Sequence, residues 1–175
     1  MKITLIRHTS VDVPPGTCYG QTDVPLRNTF PQEAALVAAQ LKGMDFDRVY
    51  TSPLSRCVRL ANYCGFTHAT RDARLLELNF GQWEMQRFDD IRDPHLQTWY
   101  DDYLHVRPTG GESFDDQRRR VASFIDELRR SSCNHAAVFT HGGVIACAQL
   151  HAGILQETDV FRSPTPYGGC VTLTF

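Results

Sequence analysis

Apolar residues follow two alternating rhythms along this chain. Ile3-Thr4-Leu5-Ile6 is the short, near-continuous apolar run that a buried strand shows, and "DRVYTS" (47–52) and "HAAVFT" (135–140) read the same way. "GGCVTLTF" (168–175) predicts a last strand. Between them lie segments with helical spacing. Pro31 opens "QEAALVAAQLKG", and "SPLSRCVRLANYCG" reads as a helix ending at Gly65. "SFDDQRRRVASFIDELRRS" is the clearest helix, with Ser113 as its cap and Phe114, Val121, Phe124, Ile125 and Leu128 on one stripe. "GGVIACAQLHAGIL" follows the 135–140 strand as another helix. Strands that alternate with helices predict an α/β domain, three layers α/β/α with a mostly parallel central sheet. Two stretches break the rhythm. "VDVPPGTCYGQTDVPLRN" (11–28) holds three prolines and two glycines, and a connection of that length inside a domain is usually functional. Residues from about 79 to 112 are polar and aromatic, with a helix expected after Pro94, and read as a lid-like insertion in a single domain spanning 1–175.

Composition narrows the classes. With 42% apolar and 22% charged residues, 175 residues suffice for a proper core. The formal net charge of −2 and the lack of any basic stretch interleaved with aromatics argue against a nucleic-acid partner. Arg118-Arg119-Arg120 reads as a solvated helix face. No apolar run approaches the roughly 20 residues that cross a bilayer, and no signal-peptide pattern opens the chain, so a soluble, cytoplasmic protein without a membrane partner is expected. Its oligomeric state is not legible. The six cysteines form no C-x-x-C pair, and Cys57 and Cys64 read as core fillers. His68, His95, His105 and His135 share no metal-ligand spacing, so neither a metal site nor a cofactor is expected.

Candidate chemistry lies at the strand ends. In open parallel sheets, ligands bind beyond the carboxyl ends of the strands. Here one strand ends at Arg7-His8, one runs into Ser52-Pro53-Leu54-Ser55-Arg56, and a later one ends at His141-Gly142-Gly143. Each alone could be an ordinary strand terminus; together they suit a phosphate. Arginine's planar fork bonds two oxygens at once, and glycines opening a helix bring backbone N–H groups close to an anion.

Arg7-His8, Ser52-Pro53-Leu54 with Arg56, Glu77 with Phe80-Gly81-Gln82-Trp83-Glu84, Gly110-Gly111-Glu112-Ser113 and Thr140-His141-Gly142-Gly143 together resemble the histidine phosphatase superfamily, which includes the phosphoglycerate mutases. "RHT" followed by "GTCYGQTDVPL" looks like the alpha-ribazole phosphatases within it. The resemblance implies a phosphoglycerate mutase-like fold and a metal-independent phosphomonoesterase without a cofactor, its partner a small-molecule phosphate ester. That ester would be alpha-ribazole 5′-phosphate or cobalamin 5′-phosphate. It also implies that His8 attacks phosphorus, that Arg7, Arg56 and His141 (with Gly142) hold its oxygens, and that Glu77 protonates the leaving alkoxide and then activates water. Glu84 is a weaker candidate for tuning Glu77. Such chemistry predicts a bell-shaped pH dependence of ester cleavage.

The chain departs from the family in one place that matters. Thr9, Ser10 and Val11 replace the usual Gly-Glu-Thr, and Pro14 stands where an asparagine commonly contacts phosphate. Ser10, Thr17 and Gln21 are the candidates to supply that contact. Rival readings are a broad small-ester phosphatase, a mutase, and a phosphate-binding module without catalysis. A mutase is disfavoured by the short chain, and a binding module by His8 and Glu77, since binding alone needs no nucleophile.

Overall fold

The sequence folds around a sheet of five strands: β1 (Lys2–Arg7), β2 (Arg48–Thr51), β3 (Thr70–Arg71), β4 (His135–Thr140) and β5 (Cys170–Thr174). The computed structural model describes residues 1–160, 162 and 164–175. Across the sheet the order is β3-β2-β4-β1-β5. β3, β2, β4 and β1 are parallel, and β5 returns antiparallel along β1. The expected α/β architecture with a mostly parallel sheet is therefore present. β3, only two residues long at an exposed edge, leaves no apolar run to read in the sequence.

The side chains of β1 and β4 alternate between two cores, as the pleat requires. Ile3, Leu5 and Val138 enter one with Phe124 and Ile145; Ile6, Ala137 and Phe139 enter the other with Val37 and Leu60. Both faces are thus buried, which is why these strands read as continuous apolar runs. Helices α4 (Phe114–Arg129) and α5 (Gly142–His151) cover the first face, α1 (Phe30–Leu41) and α2 (Ser55–Tyr63) the second. Each fully buried Leu, Ile or Phe in these cores contributes about 1.5–3 kcal/mol. Cys57 and Cys64 pack in the second core, as core fillers should.

Local signals set the helix ends. Pro31 sits in the first turn of α1. Ser113 caps α4 by accepting from the Asp116 N–H, while the Asp116 carboxylate accepts from the Ser113 N–H at 2.9 Å. Gly65, at φ +92°, lets the chain turn away after α2. A further short helix, α3 (His95–Asp101), follows Pro94. It belongs to a third apolar cluster, in which Cys18, Trp83, Ile91 and Trp99 pack with Phe80, Phe88 and Tyr103. Trp99 stacks on Phe88 and meets Trp83 edge-on. No helix among the described residues is long and apolar enough to cross a membrane.

Strand register positions the site. Arg7 pairs with Thr140, and Thr51 with Phe139. One residue further on, His8 donates its N–H to Thr140 O (3.0 Å) and Ser52 donates to Phe139 O (2.9 Å). His8, His141 and Ser52 therefore stand side by side on the carboxyl rim of three adjacent strands.

Candidate active site

His8 is buried, and its Nδ1 lies 2.7 Å from the Thr9 carbonyl. A carbonyl can only accept, so Nδ1 carries the ring proton and Nε2 keeps its lone pair. Burial, then the charge of Arg56, then that of Arg7 lower the His8 pKa to about 3, against the opposing bond to Thr9. The ring is thus neutral, with one nitrogen available as a nucleophile.

Two arginines reach the same rim from different elements. Arg7, the last residue of β1, donates from Nη1 to Thr165 O at 2.5 Å and lies over the Tyr167 ring. Arg56, in the first turn of α2, is completely buried and donates to Thr22 O (3.0 Å) and Gly20 O (2.5 Å). The Nε of each is buried without a partner among the described residues. Buried donors are nearly always satisfied, so two orphaned guanidinium N–H groups around one imidazole mark an anion cradle. His141 completes it at a ring-centroid distance of 5.2 Å from His8, sharing a 2.8 Å hydrogen bond with the Ser52 hydroxyl. Burial and Arg56 hold His141 well below its ordinary pKa, so the positive charge comes from the arginines alone.

Glu77 faces this cradle across a cavity of about 210 Å³. Its Oε1 accepts from the Leu78 N–H and from Gln117 Nε2, both at 2.9 Å, and its Oε2 accepts from the Gly143 N–H at 3.2 Å. Arg120 grips the turn and the extended backbone behind it, donating to the carbonyls of Arg74, Leu76 and Glu77. A Cβ on Gly143 would lie 2.4 Å from Glu77 Oε1, so glycine is what lets the carboxylate reach this helix start. Gly143 thus spends its N–H on Glu77. Gly142 lies against the Arg7 guanidinium, where a Cβ would approach within 3.3 Å. The cavity is lined by Arg7, His8, Glu77, Gln117 and Gly143, and walled otherwise by Tyr19, Leu78, Phe80 and Phe114. A larger groove of about 700 Å³ beside α4 and α5 lies elsewhere; there Arg118 and Glu157 pair with each other.

Comparison with known proteins agrees with this geometry. Residues 3–175 match the histidine phosphatase superfamily (branch 1). The chain belongs to that superfamily. It is 30% identical over 154 residues to the adenosylcobalamin/alpha-ribazole phosphatase of Salmonella typhimurium, covering 83% of this chain and 76% of that protein. Phosphoserine phosphatase 1 of Hydrogenobacter thermophilus is 26% identical over 79% of this chain and 69% of its own length. Among solved structures, a candidate alpha-ribazole-5′-P phosphatase of Escherichia coli superposes with a TM-score of 0.88, covering 98% of this chain and 89% of that one at 25% identity. The chain is thus a phosphatase with a phosphoglycerate mutase-like fold.

The fold of this histidine phosphatase also shows where the other candidate residues lie. The Glu84 carboxylate accepts from the N–H groups of Gln21, Thr22 and Phe80 and from the Thr22 hydroxyl, which staples the 11–28 loop to the aromatic segment. The Gln21 amide is used on Glu77 O at 3.0 Å. Thr17 forms a backbone bridge with Arg87, and Ser10 donates its N–H to Glu33. The 11–28 loop and the aromatic segment reach the cavity lining through Tyr19 and Phe80. Arg120 is not part of a solvated face but bonds Glu112 and the backbone around Glu77. Gln117 escaped the sequence reading altogether. Its signal was a polar residue on the apolar stripe between Phe114 and Val121, fully buried in the fold.

The two rim histidines make stability pH-dependent. Their pKa values are lowered in the folded state, so below the unfolded value of about 6.5 the unfolded chain binds protons that the native chain refuses. Stability is therefore complete above that value and falls as pH drops from about 6.5 toward 3. For His8 the loss at pH 5 is on the order of 2 kcal/mol. Urea midpoints should accordingly decline between pH 7 and pH 5, and less steeply in His8→Ala than in the parent. Equal slopes would contradict the neutral, buried His8.

Proposed function

We propose that this phosphatase hydrolyses phosphate monoesters through a phosphohistidine on His8, with alpha-ribazole 5′-phosphate or cobalamin 5′-phosphate as the favoured substrate. The observation that carries the chemistry is the neutral His8 Nε2 set among the orphaned Nε–H groups of Arg7 and Arg56. In the first step the Nε2 lone pair attacks phosphorus and the ester P–O bond breaks. Arg7, Arg56 and the His141 ring bear the charge on the remaining oxygens, and Glu77 gives its proton to the leaving alkoxide. In the second, water attacks the phosphohistidine, Glu77 takes the water proton, and the P–N bond breaks to return the lone pair to His8. Charge stabilisation rests on guanidinium groups, so the reaction needs no metal. Residues 79–112 act as a lid that brings Phe80 to the cavity wall.

The substrate rests on the names of the relatives and the "GTCYGQTDVPL" loop. The cavity favours a second reading. At about 210 Å³ it falls below the roughly 300–1,000 Å³ that encloses drug-sized ligands, so it takes a phosphate and its nearest carbons and leaves a flat base outside. A broader phosphatase for small esters fits that size. Phosphate release in EDTA decides, comparing kcat/KM for alpha-ribazole 5′-phosphate with sugar phosphates, phosphoserine and nucleotides. A preference of roughly a hundredfold, about 2.7 kcal/mol in transition-state binding, is expected of the dedicated enzyme. A flat profile establishes the broad one.

A further inference from the structure

Two tyrosines from opposite ends of the chain meet over the cradle. Tyr19 comes from the 11–28 loop and Tyr167 from the turn before β5; their hydroxyl oxygens are 2.6 Å apart. Each ring belongs to one cradle arginine. Tyr167 lies 4.3 Å from the Arg7 guanidinium carbon and 5.5 Å from the His8 ring, while Tyr19 lies 5.6 Å from that of Arg56. The backbones beside them are tied down as well. Arg7 donates to Thr165 O, Arg56 to Gly20 O, and the Gly168 N–H to His8 O at 3.1 Å. The rings are thus fixed relative to the reacting centre, while their exposed hydroxyls bond each other.

A hydroxyl pair is an unfinished hydrogen-bond set. One O–H donates to the other oxygen, which leaves one proton and several lone pairs for a third group. In an in-line reaction the ester oxygen points away from His8, into the cavity. There the alcohol meets an apolar wall of Leu78, Phe80 and Phe114 on one side and Tyr19 on another. A carbon chain suits the wall; a group that both donates and accepts suits the tyrosines.

We propose that Tyr19 and Tyr167 are specificity-determining residues, whose paired hydroxyls read a hydroxyl or ring oxygen near the ester carbon and so select sugar and polyol phosphates over plain alkyl phosphates. The inference rests on the phosphomonoesterase reading and adds to it the residues that choose the alcohol. It also accounts for how a cavity too small for a whole nucleotide-like substrate distinguishes one: recognition is confined to the phosphate and the adjoining sugar.

The test compares ribose 5-phosphate with n-pentyl phosphate, which has five carbons and no hydroxyl, in the parent enzyme and in Tyr19→Phe, Tyr167→Phe and the double variant. Phenylalanine keeps the rings against the arginines and removes only the pair. The parent should prefer ribose 5-phosphate in kcat/KM by about tenfold or more, the worth of one or two neutral hydrogen bonds. Each single variant should lose most of that preference, and the double variant little beyond either, because both singles break the same unit. A preference that survives in the variants, or an equal loss for both esters, overturns the inference; the second would show that the rings serve only to hold the arginines. A parent without preference overturns it too. Turnover of p-nitrophenyl phosphate in the same samples reports on the phosphatase reading separately: with that ester cleaved and ribose 5-phosphate not, the inference fails and the reading stands.

Discussion

His8→Ala is expected to lower kcat/KM by on the order of 10⁴-fold or more while leaving the affinity for inorganic phosphate largely in place. The scale follows from removing the nucleophile of a covalent mechanism, for which no other group in the cavity substitutes. The cradle survives the change, because Arg7 is held by Thr165 O and Arg56 by Gly20 O and Thr22 O, none of which involves His8. Rapid acid-free quenching with radiolabelled ester should show a protein-bound, acid-labile phosphoryl group in the parent and none in the variant. Turnover within tenfold of the parent would remove His8 from the mechanism. Lost phosphate affinity with little loss of fold would show that the imidazole, and not the guanidinium pair, forms the anion site.

Glu77→Gln should lower kcat by about 10²–10⁴-fold on esters of ordinary alcohols. Glutamine matches the size, but its NH₂ would face N–H donors that now bond the two carboxylate oxygens: Leu78 and Gln117 on one, Gly143 on the other. On p-nitrophenyl phosphate the first step should be spared, since nitrophenolate leaves without a proton. The second step still needs a base for water, so the phosphohistidine should accumulate. The signature is a burst of nitrophenol equal to the enzyme concentration, followed by slow turnover. Equal loss on both esters with no burst would make Glu77 a structural residue.

Much of the site was visible in the chain because strand ends advertise themselves. Arg7, His8 and His141 directly follow continuous apolar runs, and the parallel sheet brings such ends together. Arg56 was legible for a related reason, lying in the first turn of a helix that follows a strand at once. What stayed hidden depends on partners far along the chain. Arg120 sits within three consecutive arginines, and only the packing of α4 against residues 74–77 separates it from its exposed neighbour Arg119. Gln117 occupies an apolar stripe position, where no sequence rule assigns it to a carboxylate 40 residues away. The 11–28 loop was expected to contact phosphate through Ser10, Thr17 or Gln21. The Gln21 amide bonds Glu77 O and the Ser10 N–H bonds Glu33, while the loop reaches the cavity through the aromatic Tyr19.

Arg56 bonds the loop with its two Nη groups, and in the proposed mechanism its Nε faces the anion. In that mechanism a single rigid fork belongs to two equilibria at once, the ordering of residues 20–22 and the capture of phosphate. By linkage, whatever stiffens one favours the other by the same amount. The entropy of ordering that loop is met largely during folding and not on encounter with the ester, which leaves more of the binding free energy for the transition state. Lysine, a point charge on a flexible stem, keeps the charge but uncouples the two equilibria.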